Sequence, residues 1–164
     1  MKLDHYDQRI LELLQRDGGL SNQEIADRIG LSASPCSRRI RQLEDAGIIA
    51  GRTVRLDADK LGLGLSVLIS IRMDRHTPER FDRFEAIVAS YPEVQECYLI
   101  TGQEADYQLK VIVPNMTEYQ QFLLEKITRI EGVIGVVSSF VLRKAVDTTA
   151  VPLTYLNVPS KTNA

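Results

Sequence analysis

Residues 21–49, SNQEIADRIGLSASPCSRRIRQLEDAGII, hold two short amphipathic helical patterns joined by Gly-Leu-Ser, and the second carries clustered arginines. Ile25, Ala26 and Ile29 mark the buried stripe of a helix that starts at Ser21 or Asn22 and stops at Gly30. Glu24 stands three residues after Ser21, the spacing of a capping box, and Gly30 can take the left-handed conformation that closes a helix. Leu31 then plugs the corner, Ser32 or Ser34 caps the next helix, and Pro35 falls in a first turn that tolerates it. The second helix, residues 35–46, turns Cys36, Ile40 and Leu43 to one side and Ser34, Ser37, Arg38 and Arg41 to another. Two helices and a tight turn in this order form a helix-turn-helix. A helix that enters a major groove needs short hydrogen-bonding side chains for base edges and guanidiniums for phosphate or guanine, and Ser34, Arg38 and Arg41 fit. A charge run alone usually marks only a solvated face. Its coincidence with the two-helix frame sets this one apart.

The charge balance is local. The 164-residue chain has a formal net charge of -2, which excludes a purely electrostatic polyanion binder but not a reader of duplex DNA with basic residues on one face. Residues 32–55 contain five Arg against Glu44 and Asp45, whereas residues 1–60 balance at ten basic and ten acidic, so a single copy should bind DNA weakly and gain from self-association. With 44% hydrophobic and 26% charged residues the composition is that of a globular protein, and no apolar run approaches the length of a membrane span. Cys36 and Cys97 have no metal-ligand or CxxC spacing, so a cytoplasmic protein with reduced thiols is expected. No metal and no cofactor are expected.

The remaining elements place this motif in a larger frame. Ile10, Leu11, Leu13 and Leu14 make residues 4–16 an amphipathic helix that completes a three-helix core, and residues 53–56 suggest a short two-stranded wing in which Arg52 and Arg55 can reach a phosphate. Residues 57–64, DADKLGLG, read as a hinge. Beyond it the pattern is a strand at 65–73, a helix at 78–90, strands at 94–101 and 107–113 around a GQEAD loop, and a helix after Asn115 or Thr117 bearing Tyr119, Phe122, Leu123 and Ile127. A break at Gly132 precedes a last strand at 133–142. The order βαββαβ is the split ferredoxin-like arrangement, an antiparallel sheet with two helices on one face. The strands look apolar on both sides, so a second subunit is expected to cover the other face. Residues 150–155 suggest a short added strand and 156–164 a disordered tail.

Three segments, LDHYDQRIL near the start, SNQEIADRIGLSASPCSRRIRQLEDAGII, and QECYLITG followed by ADYQLKV, resemble the motifs of the Lrp/AsnC (feast/famine) transcriptional regulators over nearly the whole chain. The resemblance implies an α+β chain with four parts. Residues 1–56 would be a winged helix-turn-helix DNA-binding domain and 57–64 a hinge. Residues 65–155 would be a ferredoxin-like, ACT-like ligand-sensing and oligomerisation domain (the RAM domain), followed by the tail 156–164. It implies double-stranded DNA as partner, with Ser34, Ser37, Arg38, Arg39 and Arg41 as DNA-facing candidates, Arg39 either bonding phosphate or bracing the helix; Ser32 at the helix start and Arg52 beside the wing join them from the reading of the residues. It also implies an amino-acid effector held between dimers by Thr101, Gly102, Gln103, Glu104 and Asp106, with Ser138, Ser139 and Phe140 across the pocket. Backbone N–H groups at a glycine turn can hold a carboxylate, and Asp106 an ammonium. Self-association to dimers and octamers is expected. One departure from the resemblance is that three residues separate Gly102 from Asp106, where many members have two.

Two other readings stay open at this stage. A ligand-independent, nucleoid-organising DNA binder would use the second domain for assembly alone. The architecture is also similar to sirohaem decarboxylases, but those have a degenerate DNA face. With only His5 and His76, and no paired carboxylates or nucleophile signature, this chain is not expected to be an enzyme.

Overall fold

The computed structural model describes residues 1–101 and 104–156, so the expectations for Gly102, Gln103 and most of the tail 156–164 lie outside the described residues. The chain divides into two compact units, one containing residues 1–55 and the chain from 146 onward, the other residues 56–145.

Three helices build the first unit: α1 (His5–Arg16), α2 (Asn22–Ile29) and α3 (Ala33–Asp45). Each start has a local cause. Asp4 and Asp7 cap α1 reciprocally, each carboxylate accepting the other residue's backbone N–H at 3.0 Å. At α2, Ser21 N–H donates to Glu24 Oε2 at 2.8 Å and Glu24 N–H to Ser21 Oγ at 3.2 Å, the capping box read from the sequence. Gly30 ends α2 at φ 72°, and Leu31 N–H reaches back to Ala26 O at 3.0 Å. Ser32 occupies the N-cap of α3 but its hydroxyl makes no capping bond, and Ser34 already lies inside the helix, which begins two residues before the expected position 35. The apolar stripes meet in a core of Ile10, Leu11, Leu20, Ile25, Ala26, Ile29, Cys36, Ile40 and Leu43. Each fully buried aliphatic side chain there contributes about 1.5–3 kcal/mol.

Two expectations are corrected in this unit. No strand forms at 53–56, where the two-stranded wing is expected, and Val54 and Leu56 stay exposed. The added strand read at 150–155 is instead a 3₁₀ turn, Leu153–Tyr155, following Pro152, which has no N–H for a ladder. By its contacts the segment groups with residues 1–55. Gln15 holds it through both ends of its amide: Val151 N–H donates to Gln15 Oε1 at 2.7 Å and Gln15 Nε2 to Val151 O at 3.3 Å. Leu153 packs on the helical core, and Arg55 pairs with Asp147.

The second unit opens with turns at 57–62, closed by Lys60 N–H on Asp57 Oδ1 at 3.1 Å, where the hinge 57–64 was read. It continues through β1 (Leu65–Met73), α4 (Pro78–Ala89), β2 (Val94–Leu99), β3 (Tyr107–Val113), α5 (Met116–Glu125), a 3₁₀ turn (Ile127–Arg129) and β4 (Val133–Phe140). The sheet order is β2-β3-β1-β4, antiparallel throughout, as the βαββαβ pattern requires. Val67, Ile69, Ile71 and Met73 of β1 and Tyr107, Leu109, Val111 and Val113 of β3 turn to the helices and join Phe84, Val88, Tyr119 and Phe122 in the core. The opposite face is mixed rather than apolar. Alternate positions put Leu68, Ser70 and Arg72 of β1, Gln108, Lys110 and Ile112 of β3, and Val137 and Ser139 of β4 there. Lys110 Nζ meets Glu96 Oε1 of β2 at 2.7 Å on that face.

Candidate functional site

Helical geometry sorts the α3 candidates. At about 100° per residue, Ser37, Arg41, Ser34 and Arg38 fall within an arc of about 100°, whereas Cys36, Ile40 and Leu43 fall on the far side, in the core. Arg38 is exposed and makes no ion pair among the described residues. Arg41 has a side chain 83% exposed and only a loose contact, 3.9 Å, with Asp45 one turn on. Such an exposed pair is worth little and leaves the guanidinium free to move. Ser34 is exposed, and Ser37 Oγ accepts a bond from Asn22 Nδ2 at 3.1 Å. Arg52 reaches back to Glu44 of α3 at 3.3 Å with both side chains well exposed.

Arg39 does something else. It lies on the flank of α3 facing the start of α1, where its Nη1 is 2.7 Å from Asp7 Oδ1 and 2.8 Å from Asp4 Oδ2. Its guanidinium carbon is 5.4 Å from the centre of the Tyr6 ring. Asp7 is the buried charged residue of this unit. Burial works against the Arg39 charge, but the bonds from Asp7 and Asp4 outweigh it and raise its pKa. Burial likewise opposes the Asp4 charge, and the Asp7 backbone N–H and Arg39 reverse this, holding Asp4 below its ordinary value. These contacts are those of a brace between α3 and α1. The capping box of α1 and the arginine of α3 are one network, a link that the separation of 32 residues hides in the sequence.

The sheet unit redistributes the other candidates. Ser70, Arg72, Glu104, Ala105, Gly135, Val136 and Val137 line an open cavity of about 410 Å³ beside the β2–β3 loop. Of the candidates, Glu104 lines it, and Thr101 is exposed at the start of the same loop. Ser70 and Arg72 were missed, although the inside-outside alternation of β1 already puts them opposite the core. Asp106 does not project a free carboxylate into this space. Beyond the last β1–β3 pair, Ile71 with Tyr107, its Oδ2 accepts Met73 N–H at 2.7 Å and its Oδ1 lies 2.8 Å from His76 Nε2. With its backbone N–H on Ile71 O, the residue extends the ladder by one rung. Ser138 and Phe140 also turn away from the cavity. Ser138 shares a hydrogen bond with Tyr119 Oη, and the Phe140 ring packs edge-on against Tyr119 at 5.4 Å. Only Ser139 of the three expected β4 residues lies on the open face.

The described residues hold no cluster of metal-ligating side chains, and no described helix is long and apolar enough to cross a membrane. Comparison with known proteins agrees with the geometry in both units. A model described as winged helix-turn-helix DNA-binding matches residues 3–50, and the Lrp/AsnC ligand binding domain matches residues 66–151. The Bkd operon transcriptional regulator of Pseudomonas aeruginosa is 39% identical over 152 residues, 93% of this chain and 99% of its own. The leucine-responsive regulatory protein of Escherichia coli is 42% identical over 131 residues, 80% of this chain and 79% of its own. A Neisseria meningitidis transcriptional regulator, solved as its L-Met complex, has a TM-score of 0.90 at 38% identity and covers 94% of this chain and 99% of its own. The chain therefore belongs to the Lrp/AsnC family, whose members are transcriptional regulators rather than enzymes.

Proposed function

We propose that this regulator reads operator DNA with the outer face of α3 and tunes that binding through an amino acid taken up at the β2–β3 loop cavity. The observation that carries the reading is the division of labour among three neighbouring arginines: Arg39 locks α3 to α1, while Arg38 and Arg41 stand outward without a firm partner. A braced rod presents its outer side chains in fixed register, as groove reading requires. Ser32, Ser34 and Ser37 supply hydroxyls on or beside that face, and Arg52, loosely held, can swing to a phosphate.

For the effector, an amino acid needs a cation for its carboxylate and an anion for its ammonium. Arg72 and Glu104 offer both at one cavity, beside Ser70, whose hydroxyl donates to Gln108 Oε1 at 3.2 Å. Asp106 acts behind them, fixing the end of the loop through Met73 and His76. Relatives named leucine-responsive, and one solved with L-Met, support an amino acid as the ligand class. Self-association as dimers and then octamers gives each assembly several copies of a weakly charged DNA face, and exposed Leu68, Tyr98 and Val137 on the open side of the sheet suit such contacts. The free thiols of Cys36 and Cys97 suit a cytoplasmic protein.

Coupling requires that the amino acid bind one assembly state better than another. The test is fluorescence anisotropy of genomic operator fragments against the purified protein, repeated with each of the twenty amino acids while sedimentation records assembly. A sequence-dependent affinity that one or a few amino acids shift is expected. Equal binding to all duplexes would overturn the reader, and indifference to every amino acid would overturn the effector and favour the assembly-only, nucleoid-organising role.

A further inference from the structure

We propose that Asn22 is a positioning residue for base recognition: its side-chain N–H, bonded to Ser37 Oγ, turns the Ser37 hydroxyl proton outward, so that α3 presents a hydrogen-bond donor to an acceptor on a base edge. The inference rests on the reading above, that the outer face of α3 meets the duplex.

A serine hydroxyl has one proton and two lone pairs, and it rotates to suit its neighbours. On a helix the proton usually goes to a carbonyl of the preceding turn, which would leave only lone pairs to face outward. This chain uses that arrangement elsewhere: Ser90 Oγ donates to Ile87 O at 2.6 Å and Thr128 Oγ1 to Leu124 O at 3.1 Å. Ser37 does not. Its one side-chain bond among the described residues is the 3.1 Å contact in which Asn22 Nδ2 donates to its oxygen. One lone pair is thereby occupied and the proton must point elsewhere.

Ser37 sits at the edge of the polar arc of α3 nearest the start of α2, and Asn22 is the first residue of α2. The adjacent Ser21–Glu24 capping box fixes the backbone on which Asn22 stands, so the amide approaches from a rigid position. An outward hydroxyl donor matches acceptors in the major groove, guanine N7 and O6, adenine N7 and thymine O4. Asn22 itself touches no base in this scheme. It sets the polarity of the group that does.

The polarity can be reversed. In Asn22→Asp the carboxylate only accepts, so the Ser37 proton turns toward it and lone pairs face the groove, which suits the exocyclic amines of adenine N6 and cytosine N4. Aspartate is favourable in a first helical turn, so α2 keeps its start. The experiment is selection from a randomised duplex library with the wild-type protein, S37A, N22A and N22D, read as a base-preference profile, with thermal melting as the check on folding. Wild type should enrich a motif. S37A and N22A should lose roughly fivefold preference at one and the same base position, the size of one hydrogen bond. N22D should move the preference at that position away from guanine or thymine, which offer only acceptors there, toward bases with an exocyclic amine, cytosine above all, with the other positions unchanged. A merely structural Asn22 would lower affinity evenly without moving one column of the profile. If the profile of N22A and N22D matches wild type, or if S37A changes a position that N22A does not, the inference fails while the reading of α3 stands. If wild type enriches no sequence, both fail.

Discussion

The helical unit and the sheet unit both bring polar side chains to a surface beside an apolar core, but they do so under different rules. On α3 a single period of about 3.6 residues decides which side chains are buried, and the rest of the rod must face outward. In the sheet a period of two separates the residues into two sets, and only the packing of α4 and α5 decides which set is covered. A site carried on one braced helix is therefore defined by local spacing. A site in a loop beside a sheet face is defined by contacts that span the unit.

The sharpest way to break this contrast is to remove the brace. Arg39→Ala leaves Asp7, whose side chain is only 8% exposed, without its cation, and the expected loss of stability is about 2–4 kcal/mol, less than for a fully buried pair because Arg39 is itself partly exposed. Arg38→Ala, one position away, should stay within about 0.5 kcal/mol of wild type. Urea unfolding followed by far-ultraviolet circular dichroism checks both. Equal and small losses would mean that the α1–α3 network does not hold the rod.

That one-residue difference also marks how far the sequence could be read. The three-helix core, the order of all four strands and the outward placement of Ser34, Arg38 and Arg41 follow from spacing, because each depends on neighbours within a few turns. The role of Arg39 does not, since Asp4 and Asp7 reach it from another helix. In β4 the sequence VIGVVSSF has small or apolar residues at both parities, so alternation was visible but its phase was not. The contacts with Tyr119 put Ser138 and the still exposed Phe140 on the helix side of the sheet and leave Ser139 on the open side. Asp106 looked like an open carboxylate because nothing local announces Met73 and His76 as its partners.

Next in size are the effects on DNA. Arg38→Ala and Arg41→Ala should each lower operator affinity by about 1–3 kcal/mol if the guanidinium reads a base, or flatten the salt dependence by about one contact if it meets only phosphate. Titrations at several salt concentrations separate the cases, and unchanged binding in both variants would move the interface off α3. A smaller effect belongs to the return of the chain to the helical unit. Gln15→Ala removes both amide bonds to Val151 and should cost about 1 kcal/mol, with faster hydrogen exchange at the Val151 N–H. Unaltered exchange there would mean that Leu153 and the Arg55–Asp147 pair suffice to hold the segment.

The smallest effect concerns acid. Burial alone would raise the pKa of Asp4, but the Asp7 backbone N–H and the Arg39 guanidinium lower it below its ordinary value of 3.8. In the interval between the folded and ordinary values, the unfolded chain binds the proton and the folded chain does not, so stability falls as pH falls through that interval. Above it the contribution of Asp4 is fully present. Asp4→Asn keeps an oxygen that can cap α1 but has no charge to titrate, so the stability gap between wild type and variant should be constant from pH 7 to about 5 and narrow below about 4. Because the Asp4 side chain is 47% exposed, solvent screens much of this, and the narrowing should be far smaller than the loss in Arg39→Ala. Urea unfolding of both proteins across that range measures it. A gap that stays constant to pH 3 would confine the brace to Asp7 and reduce Asp4 to a cap.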